Sequence, residues 1–332
     1  MNIPIQKDHG LTKILKTLIE SDDPVSGTLI GESLGCSRTT VHTKIEQLKS
    51  EGFGINAASR RGYVLETIPE NLNPTLLSYY SLLHNNPIPI YYYSTIDSTN
   101  LQSERLFSNG VSPPFCVIGI QQTKGKGRLG RKWQSQCNKN LYASIMLSPK
   151  KSPQKLQSFT LWAGIEICRS LKRILPNIPL KVKWPNDLYC RNKKFAGMLT
   201  EARIDQDCIQ SIIFGLGLNI NTDLKNMPHE IQDVATSLKA ESKKNLDMNL
   251  TTIEMISAIV RAYKKCLLSQ TSEPLVVAWE ELDFLKGKEI RLLENGSQLA
   301  GIGMGINSVG ALQIRIANGT IRSVYSGDVT LS

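Results

Sequence analysis

Three short stretches of this 332-residue chain carry residue types suited to a charged, polar ligand. The first is GKGRLGRKW at 125–133, where Gly125, Gly127 and Gly130 are interleaved with Lys126, Arg128, Arg131 and Lys132. Missing side chains let the backbone approach a ligand closely, and the cations can neutralise phosphate oxygens. The stretch is neither a GxxxxGK(S/T) loop nor a GxGxxG turn opening a helix, because NLYASIML at 140–147 reads as a strand. The second is KWPNDL at 183–188. There Pro185 halts a strand, Asn186 and Asp187 stand at its end, and Lys193 and Lys194 follow. An Asp beside lysines can hold magnesium, orient a nucleotide or form a structural ion pair. The third is Ser98-Thr99-Asn100, whose hydroxyls and amide suit either a pocket for a polar heterocycle or a helix cap.

These residues need elements to hold them. The runs at 90–100 (IYYYSTIDSTN), 116–123 (CVIGIQQT) and 140–147 predict strands, with the glycine-rich loop between the second and third. An apolar helical stretch at 159–175 precedes the second motif, and IIFGLGLNIN at 212–221 reads as a buried strand. A polar loop then leads to ATSL at 235–238. From about Lys286 short β-rich runs separated by Asn-Gly and Ser-Val-Gly turns read as a small SH3-like barrel.

Composition narrows the class. With 41% hydrophobic and 20% charged residues the chain is an ordinary globular protein, long enough for two or three domains. No stretch approaches the ~18 consecutive apolar residues of a membrane span, and the N-terminus lacks a signal-peptide layout, so a cytoplasmic protein is expected. The seven cysteines are scattered without a CxxC pair and the four histidines lack metal spacing, which argues against a disulfide framework or a zinc site. Net charge is +10, and its distribution is uneven: no Asp or Glu occurs between Arg105 and Gly164, a span carrying ten cations. Such a field suits an anionic ligand or an acidic protein surface.

The first 66 residues read as a separate module. Leu11, Ile14, Leu15, Leu18 and Ile19 fall at helical spacing, a second helix is expected from Gly27 to Leu34, and Gly35 is the turn. Ser37 is a good N-cap for a third helix burying Val41, Ile45 and Leu48. Its polar face carries Arg38, Thr39, His42, Thr43 and Lys44, and a following hairpin carries Arg60 and Arg61, residue types that reach phosphates and base edges. The pattern is similar to winged-helix repressor domains. Over 1–66 eight cations meet eight acids, so non-specific DNA affinity should be modest. Residues 67–75, with Pro69 and Pro74, read as a linker.

Taken in order, STN, QTxGxGRxGRxW, KWPNDL with KKFAG, GLGLNIN and ATSL resemble the biotin–protein ligases, and the winged helix in front resembles the members that also repress biotin synthesis genes. The resemblance implies an α+β chain of three domains: a winged helix-turn-helix (1–66), a central mixed α/β ligase domain of the biotin/lipoyl type (67–284) and an SH3-like β-barrel (285–332). It implies formation of biotinyl-5′-AMP from biotin, ATP and Mg2+, then transfer of biotin to a lysine of the biotin carboxyl carrier domain of acetyl-CoA carboxylase. It also implies an operator DNA and a homodimer formed on adenylate binding. Carried over by residue, Ser98, Thr99, Asn100 and Gln122 should contact the bicyclic ring. Lys126, Gly127 and Arg128 should belong to a loop ordered over the adenylate, and Lys194 should bond the reacting oxygens. Trp133, Asn186, Asp187 and Gly197 should lie near the nucleotide, with Asp187 also the candidate for holding metal or activating the incoming lysine. The family usually has GRGR where this chain has GKGR; Lys126 keeps the charge but loses the planar fork of Arg, which implies weaker retention of the adenylate.

Three other readings compete: a ligase whose N-terminal domain does not regulate, a DNA-binding regulator that only senses biotin, and a lipoyl or octanoyl ligase of the same fold. The RRxxGGGxxxHD-type motif of lipoyl enzymes is absent.

Overall fold

A computed structural model describes residues 9–58, 61–86, 88–135, 139–226, 228–268, 274–294 and 297–331. Its backbone falls into two compact units, Met1–Tyr92 with Asp247–Ile253, and Tyr93–Leu246 with Glu254–Ser332.

In the first unit, α1 (His9–Ile19) buries Leu11, Ile14, Leu15 and Leu18, the stripe its spacing predicts. Helix α2 (Gly27–Leu34) starts where the Ser26 hydroxyl accepts the Leu29 N–H, and it stops at Gly35, whose φ of 63° closes the turn. Helix α3 (Arg38–Ser50) begins with the Ser37 hydroxyl accepting the Thr40 N–H and buries Val41, Ile45 and Leu48. Strands β1 (Gly54–Ala58) and β2 (Gly62–Thr67) form the antiparallel wing. The proline-marked stretch then runs into an unexpected helix, α4 (Pro74–Leu83), capped by Asn73. Pro74 sits in its first turn, where a missing N–H costs nothing. Leu76 and Tyr79 of α4 join the winged-helix core.

The second unit is built on a seven-stranded sheet in the order β3-β4-β5-β9-β8-β7-β6. Strand β3 (Ile90–Ile96) runs into α5 (Thr99–Ser108), then come β4 (Phe115–Gln122) and β5 (Asn140–Leu147). Helix α6 (Phe159–Ile174) packs Leu161, Trp162, Ile165, Cys168 and Leu171 into the core. Phe159 meets Phe214 at 5.3 Å between ring centroids. Strands β6 (Leu180–Lys183) and β7 (Asp187–Cys190) make a hairpin, followed by the long β8 (Lys193–Asp205) and β9 (Cys208–Asn219). Beyond them lie α7 (His229–Gln232), α8 (Leu238–Ser242), α9 (Met248–Leu268), which counts with the first unit up to Ile253, and α10 (Leu275–Glu280).

The C-terminal strands β10 (Glu289–Glu294), β11 (Ser297–Ile306), β12 (Leu312–Arg315), β13 (Ile321–Val324) and β14 (Asp328–Leu331) form an antiparallel sheet in the order β13-β12-β11-β10-β14. This is the SH3-like element, left open between β13 and β14 among the described residues. It is fixed to the seven-stranded sheet by the Trp184 indole, which donates to the Gly310 carbonyl at 3.0 Å. No described helix is long and apolar enough to cross a membrane.

Candidate active site

The turn from β3 into α5 supplies the first wall of a cavity of about 150 Å³. Asp97 fixes that turn by accepting the Ser98 N–H and the Arg105 guanidinium, and the Arg105 hydrogen bond holds its carboxyl below the usual carboxylate range. Ser98 occupies the N-cap position of α5, yet its side chain caps nothing. The next two residues are bonded tightly. Gln122 Oε1 on β4 accepts from the Thr99 N–H at 2.9 Å and the Thr99 hydroxyl at 3.2 Å. The buried Ser144 hydroxyl on β5 lies 2.7 Å from Thr99 Oγ1 and 2.5 Å from Asn100 Oδ1, and Asn100 Nδ2 donates to Glu201 on β8 at 2.5 Å.

Missing side chains make room for these groups. Gly215 pairs with Ser144 on one side and Leu199 on the other, and a Cβ there would lie 2.4 Å from Asn100 Oδ1. One step along the same face, Gly217 pairs with Gly197, and the Trp133 ring rests on both. A Cβ on Gly217 would meet that ring at 2.5 Å, and one on Gly197 at 2.9 Å. The two glycines of GLGLN stand two residues apart, which puts both on one face of a strand.

The glycine-rich stretch forms the second wall. It is a small hairpin, with Trp133 N–H donating to the Gly125 carbonyl at 2.9 Å and Gly127 N–H to the Arg131 carbonyl at 2.7 Å. At its tip Leu129 adopts φ 55° and is 74% exposed, an unusual backbone for a branched side chain and a surface that nothing described covers. Two arginines tie the hairpin to neighbouring elements. Arg128 donates to Asn186 Oδ1 at 3.0 Å and to the Gly327 carbonyl at 3.4 Å, while Arg131 pairs with Asp328 on β14.

The third side is the β6–β7 hairpin, with Trp184, Pro185 and Asn186 as its turn and Lys183 opposite Asp187. Asn186 is locked across to β8, donating to the Met198 carbonyl at 2.8 Å and accepting the Met198 N–H at 2.9 Å. Lys194 Nζ stands 2.7 Å from Asp187 Oδ1, without hydrogen-bond alignment, and 5.4 Å from the centroid of the Trp133 ring. Its backbone is held by the loop before α8: Lys194 N–H donates to the Val234 carbonyl, and Thr236 N–H donates to the Lys194 carbonyl. Burial holds the nearby Lys183 ammonium below the usual lysine value, opposed by Asp187, and pushes the Tyr189 phenol up to about 12.

All twelve sequence-predicted ligand residues therefore line one cavity: Ser98, Thr99, Asn100, Gln122, Lys126, Gly127, Arg128, Trp133, Asn186, Asp187, Lys194 and Gly197. Lys126, Arg128, Arg131, Lys132 and Lys194 face two acids, Asp187 and Asp328, so the lining is cationic. In the first unit, Arg38, Thr39, His42 and Thr43 are exposed on α3, Lys44 is half-buried, and Arg61 is exposed at the wing; Arg60 lies outside the described residues.

Known families match the chain in three segments. Residues 92–219 match the biotin/lipoate A/B protein ligase family, 11–64 match an HTH domain, and 286–332 match the biotin protein ligase C-terminal domain. The bifunctional ligase/repressor BirA of Bacillus spizizenii is 30% identical over 92% of this chain and 94% of its own length. The chain belongs to the biotin–protein ligase family. The Escherichia coli ligase/repressor BirA is 28% identical over 98% of both chains. The Aquifex aeolicus biotin protein ligase, solved in complex with biotin and ATP, superposes with a TM-score of 0.64 at 31% identity, covering 73% of this chain and 99% of that one.

Several residues of this ligase's cavity were not legible as site residues. Leu129, Met198, Leu199, Gly215, Leu216, Gly217 and Asp328 also line it, beside Arg131 and Lys132 of the glycine-rich stretch, and Ser144 and Glu201 sit behind it. For Gly215 and Gly217 a signal existed, since two glycines at period two in an apolar strand announce a groove on one face. Asp328 had none, because the pairing spans 197 residues.

Proposed function

We propose that the chain is an ATP-dependent biotin–protein ligase that also acts as a biotin-responsive repressor of biotin synthesis genes. The carrying observation is the single cavity that joins a neutral hydrogen-bonding wall to a cationic loop at Lys194. In the first half-reaction a biotin carboxylate oxygen attacks the α-phosphorus of ATP, its bond to the bridging oxygen breaks, and pyrophosphate leaves. In the second, the acceptor lysine amine attacks the acyl carbon, AMP departs, and the amine loses a proton. Two anions must meet in the first step, so cations and positioning supply most of the catalysis. The mixed anhydride hydrolyses readily, so its lid must exclude water.

In this reading Ser98, Thr99, Asn100 and Gln122 hold the bicyclic ring, and Lys194 bonds the reacting oxygens. Lys126, Gly127 and Arg128 cover the adenylate, with Trp133, Asn186 and Gly197 beside it. Mg2+ accompanies the nucleotide, held chiefly by phosphate oxygens as is usual for this ion. Asp187 is a protein carboxylate suited to assist, because it lines the cavity beside Lys194. The acceptor is the biotin carboxyl carrier domain of acetyl-CoA carboxylase, and the three functional domains run over 1–66, 67–284 and 285–332. The exposed α3 residues and Arg61 support operator binding by a cytoplasmic protein. A homodimer on adenylate binding is supported by β8, which pairs with β7 only as far as Gly197 and among the described residues has no strand beside 199–205 on that side.

Incubation with ATP, magnesium, biotin and an acceptor domain, read by streptavidin blot, tests the enzyme; no signal from wild type overturns it. A gel shift on the upstream region of a biotin synthesis gene tests the repressor. A shift that appears only with biotin and ATP supports it, and its absence leaves a ligase with a non-regulatory N-terminal domain.

A further inference from the structure

Glu201 is an exposed residue on β8 whose carboxylate reaches the buried Asn100. An amide side chain has two ends of similar shape and opposite hydrogen-bonding sense, so a half-turn exchanges donor for acceptor. Ser144, at 2.5 Å from one end, tolerates either orientation because a hydroxyl both donates and accepts. A carboxylate only accepts. With Glu201 2.5 Å from the other end, Nδ2 must face it and Oδ1 must face Ser144. Gly215 lies beneath the amide, close enough to Oδ1 that a Cβ there would collide with it.

The constraint passes further. Once the single hydrogen of Ser144 is given to Asn100, the 2.7 Å contact with Thr99 needs the Thr99 hydrogen, unless Thr99 donates to Gln122 instead. One carboxylate thereby sets the donor and acceptor sense of Asn100 and of Ser144 behind it, while the Thr99 N–H, which only donates, sets that of Gln122. Resting on the ligase reading, we propose that Glu201 is a positioning residue for ring recognition: it fixes the orientation of Asn100, with Ser144 as its counterpart on β5. The Asn100 amide keeps one N–H and one lone pair for a ligand, and their sense matches a cyclic urea in one orientation only.

The test is biotin binding by calorimetry together with steady-state adenylation on the full-length protein. Glu201→Ala should weaken biotin binding and raise KM for biotin by about tenfold, the loss of one charge-assisted hydrogen bond, while KM for ATP and kcat stay within about twofold. Glu201→Gln keeps an acceptor at the same reach but can also present a donor, so its binding should fall between wild type and Glu201→Ala. In an Asn100→Ala background Glu201→Ala should cost nothing further, since a residue acting through another has no effect once that partner is gone. Equal losses in KM for biotin, KM for ATP and thermal midpoint would mark a merely structural role and overturn the proposal. So would additive losses in the double variant. Wild type that binds no biotin overturns the ligase reading and this proposal with it; wild type that binds while Glu201→Ala matches it within twofold overturns this proposal alone.

Discussion

On the sheet side of the cavity Thr99 and Asn100 are buried, and their side chains are bonded to Gln122, Ser144 and Glu201 from three strands. On the loop side Lys126, Leu129, Arg131 and Lys132 are exposed, and the hairpin is held by its own backbone bonds and by two arginines reaching Asn186, Gly327 and Asp328. The first wall is braced by side-chain bonds within the sheet. The second gains its purpose only when an anion lies beneath its cations. Preorganised groups govern how tightly a substrate enters, whereas a lid governs how fast an intermediate escapes. The two walls should therefore fail in different kinetic terms.

The sharpest break is expected where the walls meet. Lys194→Ala should lower adenylation on the order of 10³-fold, as removal of a charge-stabilising donor does, and pyrophosphate release measures it. A loss below tenfold would remove Lys194 from the chemistry. Arg128→Gly, on the loop side, should speed escape of biotinyl-5′-AMP on the order of a hundredfold with a much smaller effect on biotin affinity. Release of labelled adenylate by rapid filtration reads this directly, and a change confined to biotin affinity would erase the distinction between the walls. The paired glycines sharpen it. Gly215→Ala should raise KM for biotin about tenfold by displacing Asn100, whereas Gly217→Ala should act through Trp133 and raise adenylate release by a similar factor. Identical kinetic phenotypes for the pair would contradict the division. The smallest effect is reserved for Lys126→Arg, which should slow release about threefold by restoring a planar fork.

Local order was well legible from sequence. Ser37 as a cap, Gly35 as a turn and the apolar spacing of α1 and α3 depend on neighbours within a turn or two, and the structure agrees with each. The strands flanking the glycine-rich loop were legible for the same reason. Helix α4 was not, because Pro69 and Pro74 read as punctuation while its capping and packing depend on Asn73 and on a core assembled from α1 and α3. In the cavity, residues within recognisable motifs were found. Ser144 and Glu201 were not, since their role comes from β5, β9 and β8 lying side by side, a register that no short window contains.

The open edge of β8 has a bearing on colloidal behaviour. A strand with unpaired backbone groups and an exposed Ile204 is a template for uncontrolled growth of sheets between molecules. Along it Glu201, Arg203 and Asp205 alternate in charge at every second residue, which penalises registers of self-pairing that oppose like charges and favours those that set Glu201 or Asp205 against Arg203. The carboxylate that orients Asn100 thus also takes part in choosing the register of any self-pairing. Replacing it to study the ligand pocket should therefore also shift self-association, and the two consequences separate only if light scattering is followed alongside binding.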